Sequence, residues 1–254
     1  MNIVVLLKIV PDTETRFQIN NEGTDVVWDD TIEWVLGPYD EYAIEEAIRI
    51  KEAHGGKVIS VTIGRGKEEK SIRKAMAMGV DEGVLIENDE LVTSDPTSIA
   101  KALAETVKSL NPDIILTGRM ATDSSDSFVG PAVAELLNFP VVTEISSLEI
   151  ADGVATAIRD ASGRKEKFEL KLPAVFTADK GLNEPRYPKL PMIMKAKQKP
   201  LDKKGDAGTP IIKNVNQLKV EFPAKKEAGS KITGTVDEMV NQLVDGLANK
   251  EKVL

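Results

Sequence analysis

The chain has 254 residues, of which 41% are hydrophobic and 29% are charged, with 33 basic side chains against 41 acidic ones. These proportions are typical of a globular protein and exclude a disordered, collagen-like or disulfide-scaffold class. The net charge of -8 argues against a nucleic acid as the principal partner. Because the sequence has no cysteine and one histidine, it also excludes disulfides, Cys-ligated metals, thiol nucleophiles and multi-histidine sites.

No apolar run approaches the roughly 20 residues that a membrane-spanning helix needs. We therefore expect no membrane span. The N-terminal residues are apolar from position 3 but lack a basic leader and a small-residue cleavage site. This pattern predicts a first strand rather than an export signal, and hence a cytoplasmic protein.

Apolar periodicity predicts strands and helices in alternation over the first 143 residues. Predicted strands lie at 3–9, 57–63, 84–86, 113–117 and 141–143, and predicted helices at 38–54, 67–78, 94–110 and 127–137. A small hairpin is expected between 16 and 29. Such alternation indicates a doubly wound α/β fold with a mainly parallel sheet, whose ligands bind at the carboxyl ends of the strands.

Beyond residue 150 the pattern changes. Two antiparallel strands are expected near 154–158 and 167–172, and a terminal helix at 236–247. Between 195 and 230 several prolines interrupt any sustained period. We therefore predict an α/β nucleotide-binding domain over 1–194 and a C-terminal arm over 195–254 that packs on a partner subunit.

Residues 118–131 form the segment richest in potential ligand-binding groups. They lie between a predicted strand and a predicted helix and include the hydroxyls of Thr122, Ser124, Ser125 and Ser127. Hydroxyls and free N–H groups at a helix start bind anions, so the segment predicts a phosphate cradle, although ordinary helix capping would use the same residues. Neither a Gly-x-Gly-x-x-Gly after the first strand nor a P-loop occurs in the sequence.

No pattern of side chains predicts a catalyst or a metal site. The adjacent acids at 45–46 and 68–69 fall on helix faces expected to be solvated, and Gly64-Arg65-Gly66 is typical of a plain turn. His54 precedes two glycines at a predicted helix end, where an imidazolium would favour the helix dipole. Between 186 and 204, seven basic residues accompany one acid, which makes a positive segment on an acidic protein.

Four blocks of the sequence are distinctive when taken together: residues 2–8, the Gly-Pro-Tyr-Asp-Glu block from 37, residues 75–81, and the Leu-Asn-Glu-Pro-Arg-Tyr-Pro-Lys-Leu-Pro stretch from 182, which runs on to 197. Together they resemble the β subunit of electron-transfer flavoprotein. The resemblance covers residues 2 to about 200. Its implied fold is a nucleotide-binding sheet of the adenine nucleotide α-hydrolase-like kind.

The resemblance implies an electron carrier rather than an enzyme with its own substrate. Members work as αβ heterodimers with an FAD held mostly by the α subunit, and they exchange electrons with acyl-CoA dehydrogenases or similar flavoprotein dehydrogenases. The β subunit buries an AMP or, in electron-bifurcating members, a second FAD.

By position, the resemblance also implies two sets of site residues. The cofactor-binding set is Leu6, Gly37, Pro38, Tyr39, Asp40, Ile63, Gly118, Arg119, Met120, Ala121, Thr122, Asp123, Ser124, Ser125, Asp126, Ser127, Phe128 and Val129. The dehydrogenase-binding set is Tyr187, Pro188, Lys189, Leu190, Pro191, Met192, Ile193, Met194 and Lys195. Leu190 would be the apolar anchor, the alternative being a leucine packed on its own subunit.

Some residues depart from the family pattern. Phe128 stands where glutamine is common, and Arg164 replaces the second glycine of the Arg-x-x-x-Gly-Gly-x-Glu element that starts at Arg159. The block at 183–197 is more similar to members with AMP, whereas Val-Gly-Pro at 129–131 is more similar to bifurcating ones. The sequence thus favours AMP, with a second FAD as the alternative.

Two other classes stay open at this point. One is a stand-alone adenine-nucleotide module or an ATP pyrophosphatase on the same kind of sheet, but the latter would need a Ser-Gly-Gly-x-Asp-Ser loop where this chain has Pro-Asp-Thr-Glu at 11–14. The other is a structural partner without a nucleotide.

Overall fold

The computed structural model describes residues 1–205, 210–211, 214–225 and 229–253. The strands are β1 (Asn2–Leu7), β2 (Ile9–Pro11), β3 (Trp34–Leu36), β4 (Lys57–Gly64), β5 (Glu82–Glu87), β6 (Ile114–Gly118), β7 (Val141–Ala151), β8 (Val154–Ala161), β9 (Arg164–Lys171), β10 (Ala174–Ala178) and β11 (Leu201–Lys204). The helices are α1 (Pro38–His54), α2 (Glu69–Met78), α3 (Asp89–Val92), α4 (Pro96–Lys108), α5 (Val129–Leu137), α6 (Leu190–Ala196) and α7 (Val236–Asp245), which continues into a π-helical turn, Gly246–Lys250. Parts of the predicted arm, at 206–209, 212–213, 226–228 and 254, lie outside the described residues.

Local signals fix the ends of the principal helices. Pro38 occupies the first turn of α1, and the helix ends at Gly55, whose φ of 72° suits glycine. The side chain of Asp95 accepts hydrogen bonds from the backbone N–H groups of Thr97 and Ser98 and so caps α4. Both helices therefore begin where the sequence predicts.

Nine strands form one sheet in the order β11-β5-β4-β1-β6-β10-β7-β8-β9. From β11 to β7 all neighbours are parallel, whereas β7, β8 and β9 pair antiparallel through hairpins. A separate small sheet joins β2 and β3. The predicted doubly wound α/β class is confirmed.

The core lies on both faces of the parallel part of the sheet. In β1, Ile3 and Val5 face the apolar layer that includes α1 and α2, while Val4 and Leu6 face the layer that includes α4 and α5. A strand buried on both faces needs apolar residues at consecutive positions. This explains the unbroken apolar run at the N-terminus.

The structure contains several elements that the sequence pattern does not predict. They are β2 and β3, the short helices α3 and α6, and the strands β10 and β11. The predicted hairpin at 16–29 is present as an isolated antiparallel bridge between Ile19 and Val26. The strand β7 continues to Ala151 because it changes partner, from parallel β10 to antiparallel β8.

The end of the chain differs from the body. The strand β11 pairs with β5 and thus places residues 201–204 at the edge of the main sheet. Within the described part of 214–253, no residue is buried, and α7 is exposed along its length. Among the described helices, none is long and apolar enough to cross a membrane. The division at residue 194 and the cytoplasmic location stay predictions.

Candidate functional site

A cavity of about 610 Å³ opens at the carboxyl end of the parallel strands. Three neighbouring strands contribute residues to its lining, among them Leu6 of β1, Ile63 of β4 and Thr117 of β6. Because all three strands point the same way, their carboxyl ends meet at this edge of the sheet. The cavity is therefore where the sequence places a ligand.

The loop between β6 and α5 forms one wall of this cavity. Ser124 and Ser127 line it, as do Val129 and Gly130 at the start of α5. Phe128 is the N-cap of α5, and no side chain of the loop hydrogen-bonds to the helix start. The helix-capping alternative for the loop hydroxyls is therefore not met, and the first N–H groups of α5 have no side-chain cap.

Two serines of the loop have left-handed backbone conformations. Ser125 has a φ of 55° and Ser127 a φ of 51°. The two side chains differ in placement, because Ser127 lines the cavity and Ser125 does not. Alternating backbone conformations of this kind direct N–H groups into a concave surface that suits an anion.

Asp40 joins the ends of β1 and β6 beneath the cavity. Its carboxylate accepts hydrogen bonds from the backbone N–H of Lys8 at 2.8 Å and from that of Gly118 at 2.9 Å. Burial raises the pKa of Asp40 to about 7, although both hydrogen bonds act in the opposite direction. Near neutral pH this carboxyl group is therefore partly protonated.

Close packing around Asp40 explains the glycine at position 118. A Cβ atom there would lie 2.6 Å from Oδ1 of Asp40 and 2.7 Å from Cβ of Tyr39, which is too close for either contact. Only glycine lets the loop leave β6 directly above α1.

Ion pairs that involve two cavity-lining cations, Lys8 and Arg119, also hold the loop in place. Nζ of Lys8 lies 2.8 Å from Oδ1 of Asp123, and Nη1 of Arg119 lies 3.0 Å from Oδ2 of Asp179. The Arg119 guanidinium also lies 5.3 Å from the ring centre of Tyr39. These contacts tie the loop to β1, α1 and the segment after β10, so the cavity wall is fixed from several directions.

The structure brings most of the predicted cofactor-binding residues together around one cavity. Those that line it are Leu6, Asp40, Ile63, Gly118, Arg119, Met120, Ala121, Ser124, Asp126, Ser127, Phe128 and Val129. Those that do not line it are Gly37, Pro38, Tyr39, Thr122, Asp123 and Ser125. As Asp123 and Tyr39 illustrate, residues of the second group support the wall from behind.

Sequence reasoning missed two sides of the cavity. One is formed by residues between Val92 and Leu103, in and around α3 and α4. On the other, Trp28 and Trp34 line the cavity, with ring centres 5.7 Å apart, as do Arg65 and Gln217. Arg65 lies in the turn that the sequence presents as plain. Gln217 comes from the C-terminal part of the chain and donates a hydrogen bond to the carbonyl oxygen of Thr24. The available signal was the pair of tryptophans, Trp28 at the end of the predicted hairpin and Trp34 shortly after it.

The segment predicted to bind a dehydrogenase lies on a different surface. Tyr187 is 93% exposed and Leu190 74% exposed, and α6 begins at Leu190. The alternative of a leucine packed on its own subunit is therefore not met in this chain. Ile193 and Met194 extend the same exposed apolar surface.

The structure explains the arginine at position 164. Ser162 and Gly163, with φ of 47° and 83°, form the tight turn between β8 and β9. Position 164 is the first residue of β9 and so needs no glycine. Arg164 and Arg159 both bond to Glu166, at 2.9 and 2.8 Å, so the arginine and glutamate of the family element are paired here.

Comparisons with known proteins identify the family of the chain. A family model for the electron transfer flavoprotein domain matches residues 24–209. The chain is 43% identical over 263 residues to the electron transfer flavoprotein subunit beta of Bacillus subtilis (strain 168), covering 100% of both chains. It is 37% identical over 254 residues to that of Syntrophomonas wolfei, covering 100% of this chain and 98% of the relative, and 35% identical over 242 residues to the human one, covering 93% and 94%. The predicted resemblance is thus confirmed, and the chain belongs to the electron transfer flavoprotein β-subunit family, whose members take part in flavin-dependent electron transport.

Proposed function

We propose that this chain is the β subunit of a heterodimeric carrier that passes electrons from an acyl-CoA dehydrogenase or similar flavoprotein dehydrogenase to a downstream acceptor. The observation that carries the proposal is the cavity at the carboxyl edge, which has an uncapped helix start and serine hydroxyls in one wall. An FAD shared with an α subunit would supply the redox chemistry. This chain would bind the nucleotide, help to orient the shared FAD and dock on the dehydrogenase.

The cavity suits a structural AMP. Ser124, Ser127 and the first N–H groups of α5 would hold the phosphate, because a helix start binds anions through its free donors and its dipole. Leu6 and Ile63 offer apolar surface for the adenosine part. The partly protonated Asp40 lies at the same cavity and reduces the charge repulsion that a phosphate would meet.

A second FAD is the alternative ligand, with electron bifurcation as the corresponding function. One observation favours it, namely that Trp28 and Trp34 add aromatic surface to the same cavity. At about 610 Å³ the cavity falls within the range of roughly 300–1,000 Å³ usual for small-molecule sites, so its volume does not choose between the two ligands.

The start of the arm belongs to this chain, because β11 pairs with β5, so the part proposed to pack on the α subunit is the region around α7. The side chains of Val236, Val240, Leu243 and Val244 in α7 are between 49% and 70% exposed. Helices with an apolar stripe normally bury it. An α subunit that covers this stripe would explain why a well-capped amphipathic helix buries no residue in this chain.

The first experiment identifies the bound molecule. The chain is co-expressed with its α subunit, purified and denatured, and the released small molecules are identified by mass. AMP together with one FAD per heterodimer is expected. Two FAD per heterodimer would establish the alternative. One FAD per heterodimer without AMP would contradict the proposed use of the cavity. Expressed alone, the chain should be colourless or nearly so.

A paired substitution tests the phosphate site. Ser127→Asp places a carboxylate in the cavity, and Ser125→Asp adds the same charge outside it on the same loop. Aspartate tolerates the left-handed conformation at both positions. The nucleotide content should fall about tenfold or more in the Ser127 variant only, because like charges repel. Equal nucleotide content in the two variants would place the phosphate elsewhere.

A second pair tests dehydrogenase docking. Leu190→Ala should raise the KM for an acyl-CoA dehydrogenase about tenfold or more, since truncating a central anchor weakens an interface by this order. Leu136→Ala truncates another exposed leucine, on α5, and should leave the KM unchanged. If Leu190→Ala also leaves it unchanged, the dehydrogenase binds elsewhere.

A further inference from the structure

The exposed docking segment, residues 187–195, is held in place at its first end by α1. Just before it, the side-chain amide of Asn183 donates hydrogen bonds to the carbonyl oxygen of Tyr42 at 3.0 Å and to Oε2 of Glu46 at 2.9 Å. Asn183 is buried, and the residues it contacts lie more than 130 positions earlier in the chain. The segment therefore starts from a fixed point on α1.

Arg186 strengthens this attachment one residue before the segment. Its guanidinium pairs in a bidentate manner with Glu45, with nitrogen–oxygen distances of 2.8 and 2.9 Å, and it also bonds to Glu52 at 2.6 and 3.0 Å. The side chain of Glu45 is only 5% exposed and Glu46 is buried as well, so the expectation of a solvated helix face at 45–46 is wrong. A forked pair with a buried carboxylate has one defined geometry and is only weakly screened by salt.

The other end of the segment is attached to α2. Nη1 of Arg73 donates to the carbonyl oxygens of Ala196 at 2.9 Å and of Lys199 at 2.6 Å. In return, Nζ of Lys199 donates to the carbonyl oxygens of Met76 and Val80 at 2.9 and 2.5 Å. Ala196 itself is buried, so the chain leaves the surface at this point.

Between these two attachments most side chains face solvent. Tyr187, Leu190 and Met194 are 93%, 74% and 59% exposed. Exposed apolar side chains gain little from their own subunit, so these three do little to hold the segment in place. Met192 is half-buried and α6 has its own backbone hydrogen bonds, but the two attachments fix where the segment lies on the subunit.

We propose that Arg186 is a positioning residue that holds segment 187–195 in its docking conformation before the dehydrogenase arrives. This inference rests on the proposed docking function. A segment that is already ordered loses less conformational entropy when it binds, so the same contacts give a higher affinity. Arg186 does not need to touch the dehydrogenase for this effect.

The test compares three substitutions in the co-expressed heterodimer. Arg186→Lys keeps the charge but loses the forked geometry. The double substitution Glu45→Gln with Arg186→Gln removes the pair without leaving a buried carboxylate unpaired. The control, Arg49→Ala, removes another arginine 3.5 Å from the same Glu45 carboxylate but leaves the segment untouched.

Two measurements separate positioning from general stability. The first is hydrogen exchange of the Met192 and Ile193 amides, which donate to the carbonyl oxygen of Lys189 within the segment. It should become about tenfold faster in the double variant, less so in Arg186→Lys, and stay unchanged in Arg49→Ala. The second is the steady-state rate of electron transfer to the heterodimer from an acyl-CoA dehydrogenase that octanoyl-CoA has reduced. Here the KM for the heterodimer should rise about fivefold or more with kcat unchanged.

The outcomes distinguish this inference from the proposed docking itself. If Leu190→Ala raises the KM while both Arg186 variants leave it and the exchange rates unchanged, the positioning role is wrong and docking stands. If Leu190→Ala has no effect on the KM either, docking through this segment is wrong and the positioning role is overturned with it.

Discussion

The helices α4 and α7 look alike in sequence but differ in what covers them. Each begins at a side chain that caps it, Asp95 for α4 and Thr235 for α7, and each carries an apolar stripe. The helix α4 buries residues such as Ala102 and Val107 against the sheet, whereas α7 buries none. An amphipathic pattern therefore predicts that a helix face will be covered, but it does not tell whether the cover is the same chain or another one.

The largest expected effect comes from placing the same charge on both helices. Val107 is fully buried and Val240 is 52% exposed. Val107→Asp should lower the free energy of unfolding of the isolated chain by about 3 kcal/mol or more, because it buries an unpaired carboxylate. Val240→Asp should change it by no more than about 0.5 kcal/mol. Urea unfolding of both variants measures the contrast, and similar losses would mean that α7 packs on its own chain.

A second buried residue, Asp40, should make the stability of the protein depend on pH. Its folded-state pKa of about 7 lies above the ordinary value of 3.8, so between these pH values the folded protein holds a proton that the unfolded chain has released. The free energy of unfolding should therefore fall as pH rises through this window, by at most about 1.4 kcal/mol per pH unit.

Comparison with Asp40→Asn isolates this dependence. The asparagine does not titrate. The free energy of unfolding of the wild type minus that of the variant should therefore fall as the pH rises from about 4 to 7. Urea unfolding at several pH values measures this difference. Parallel curves for the two proteins would show that burial does not shift the pKa of Asp40.

A smaller effect is expected when Val240→Asp is tested in the presence of the α subunit. If α7 is covered by that subunit, the charge enters an apolar contact and should weaken the heterodimer by about tenfold in Kd. Titration of labelled subunits measures the Kd. An unchanged Kd would mean that the α subunit does not cover α7. The explanation given for the difference between α4 and α7 would then be wrong.

The smallest effect concerns the helix caps. The side chain of Asn88 caps α3, whose Leu91 is buried, and that of Thr235 caps the exposed α7. Asn88→Ala should lower the free energy of unfolding by about 1 kcal/mol. Thr235→Ala should leave global unfolding unchanged and reduce only the helical circular dichroism signal. A global loss in both variants would contradict the independence of α7.

Much of the fold could be predicted because local signals and periodicity coincide. The run in β1, the proline that starts α1 and the capping Asp95 each fix an element without distant information. Two strands carried weaker signals. The strand β10 is buried at every position and so shows no alternation, and its two alanines and one threonine weaken the apolar run. The strand β11 contains two lysines, and its pairing with β5 at the sheet edge is not visible in the local sequence.

Part of the candidate site could also be predicted from local patterns, and part could not. The loop after β6 could be located because a strand-to-helix connection at the carboxyl edge is where ligands bind. Asp40 entered only through the family resemblance, since its partners Lys8 and Gly118 lie 32 and 78 positions away. The wall formed by Trp28 and Gln217 comes from segments far apart in the chain, and no local pattern predicts that they meet.

The two edges of the nine-stranded sheet have a consequence for the behaviour of the protein at high concentration. An exposed strand edge is a template on which another chain can pair and aggregate. One edge, β11, is only four residues long and carries Lys203 and Lys204, while the other, β9, has charged side chains at six of its eight positions, from Arg164 to Lys171. Short length and closely spaced charges both disfavour strand addition. The chain should therefore resist edge-to-edge association between copies, which leaves its exposed apolar surfaces free for other partners.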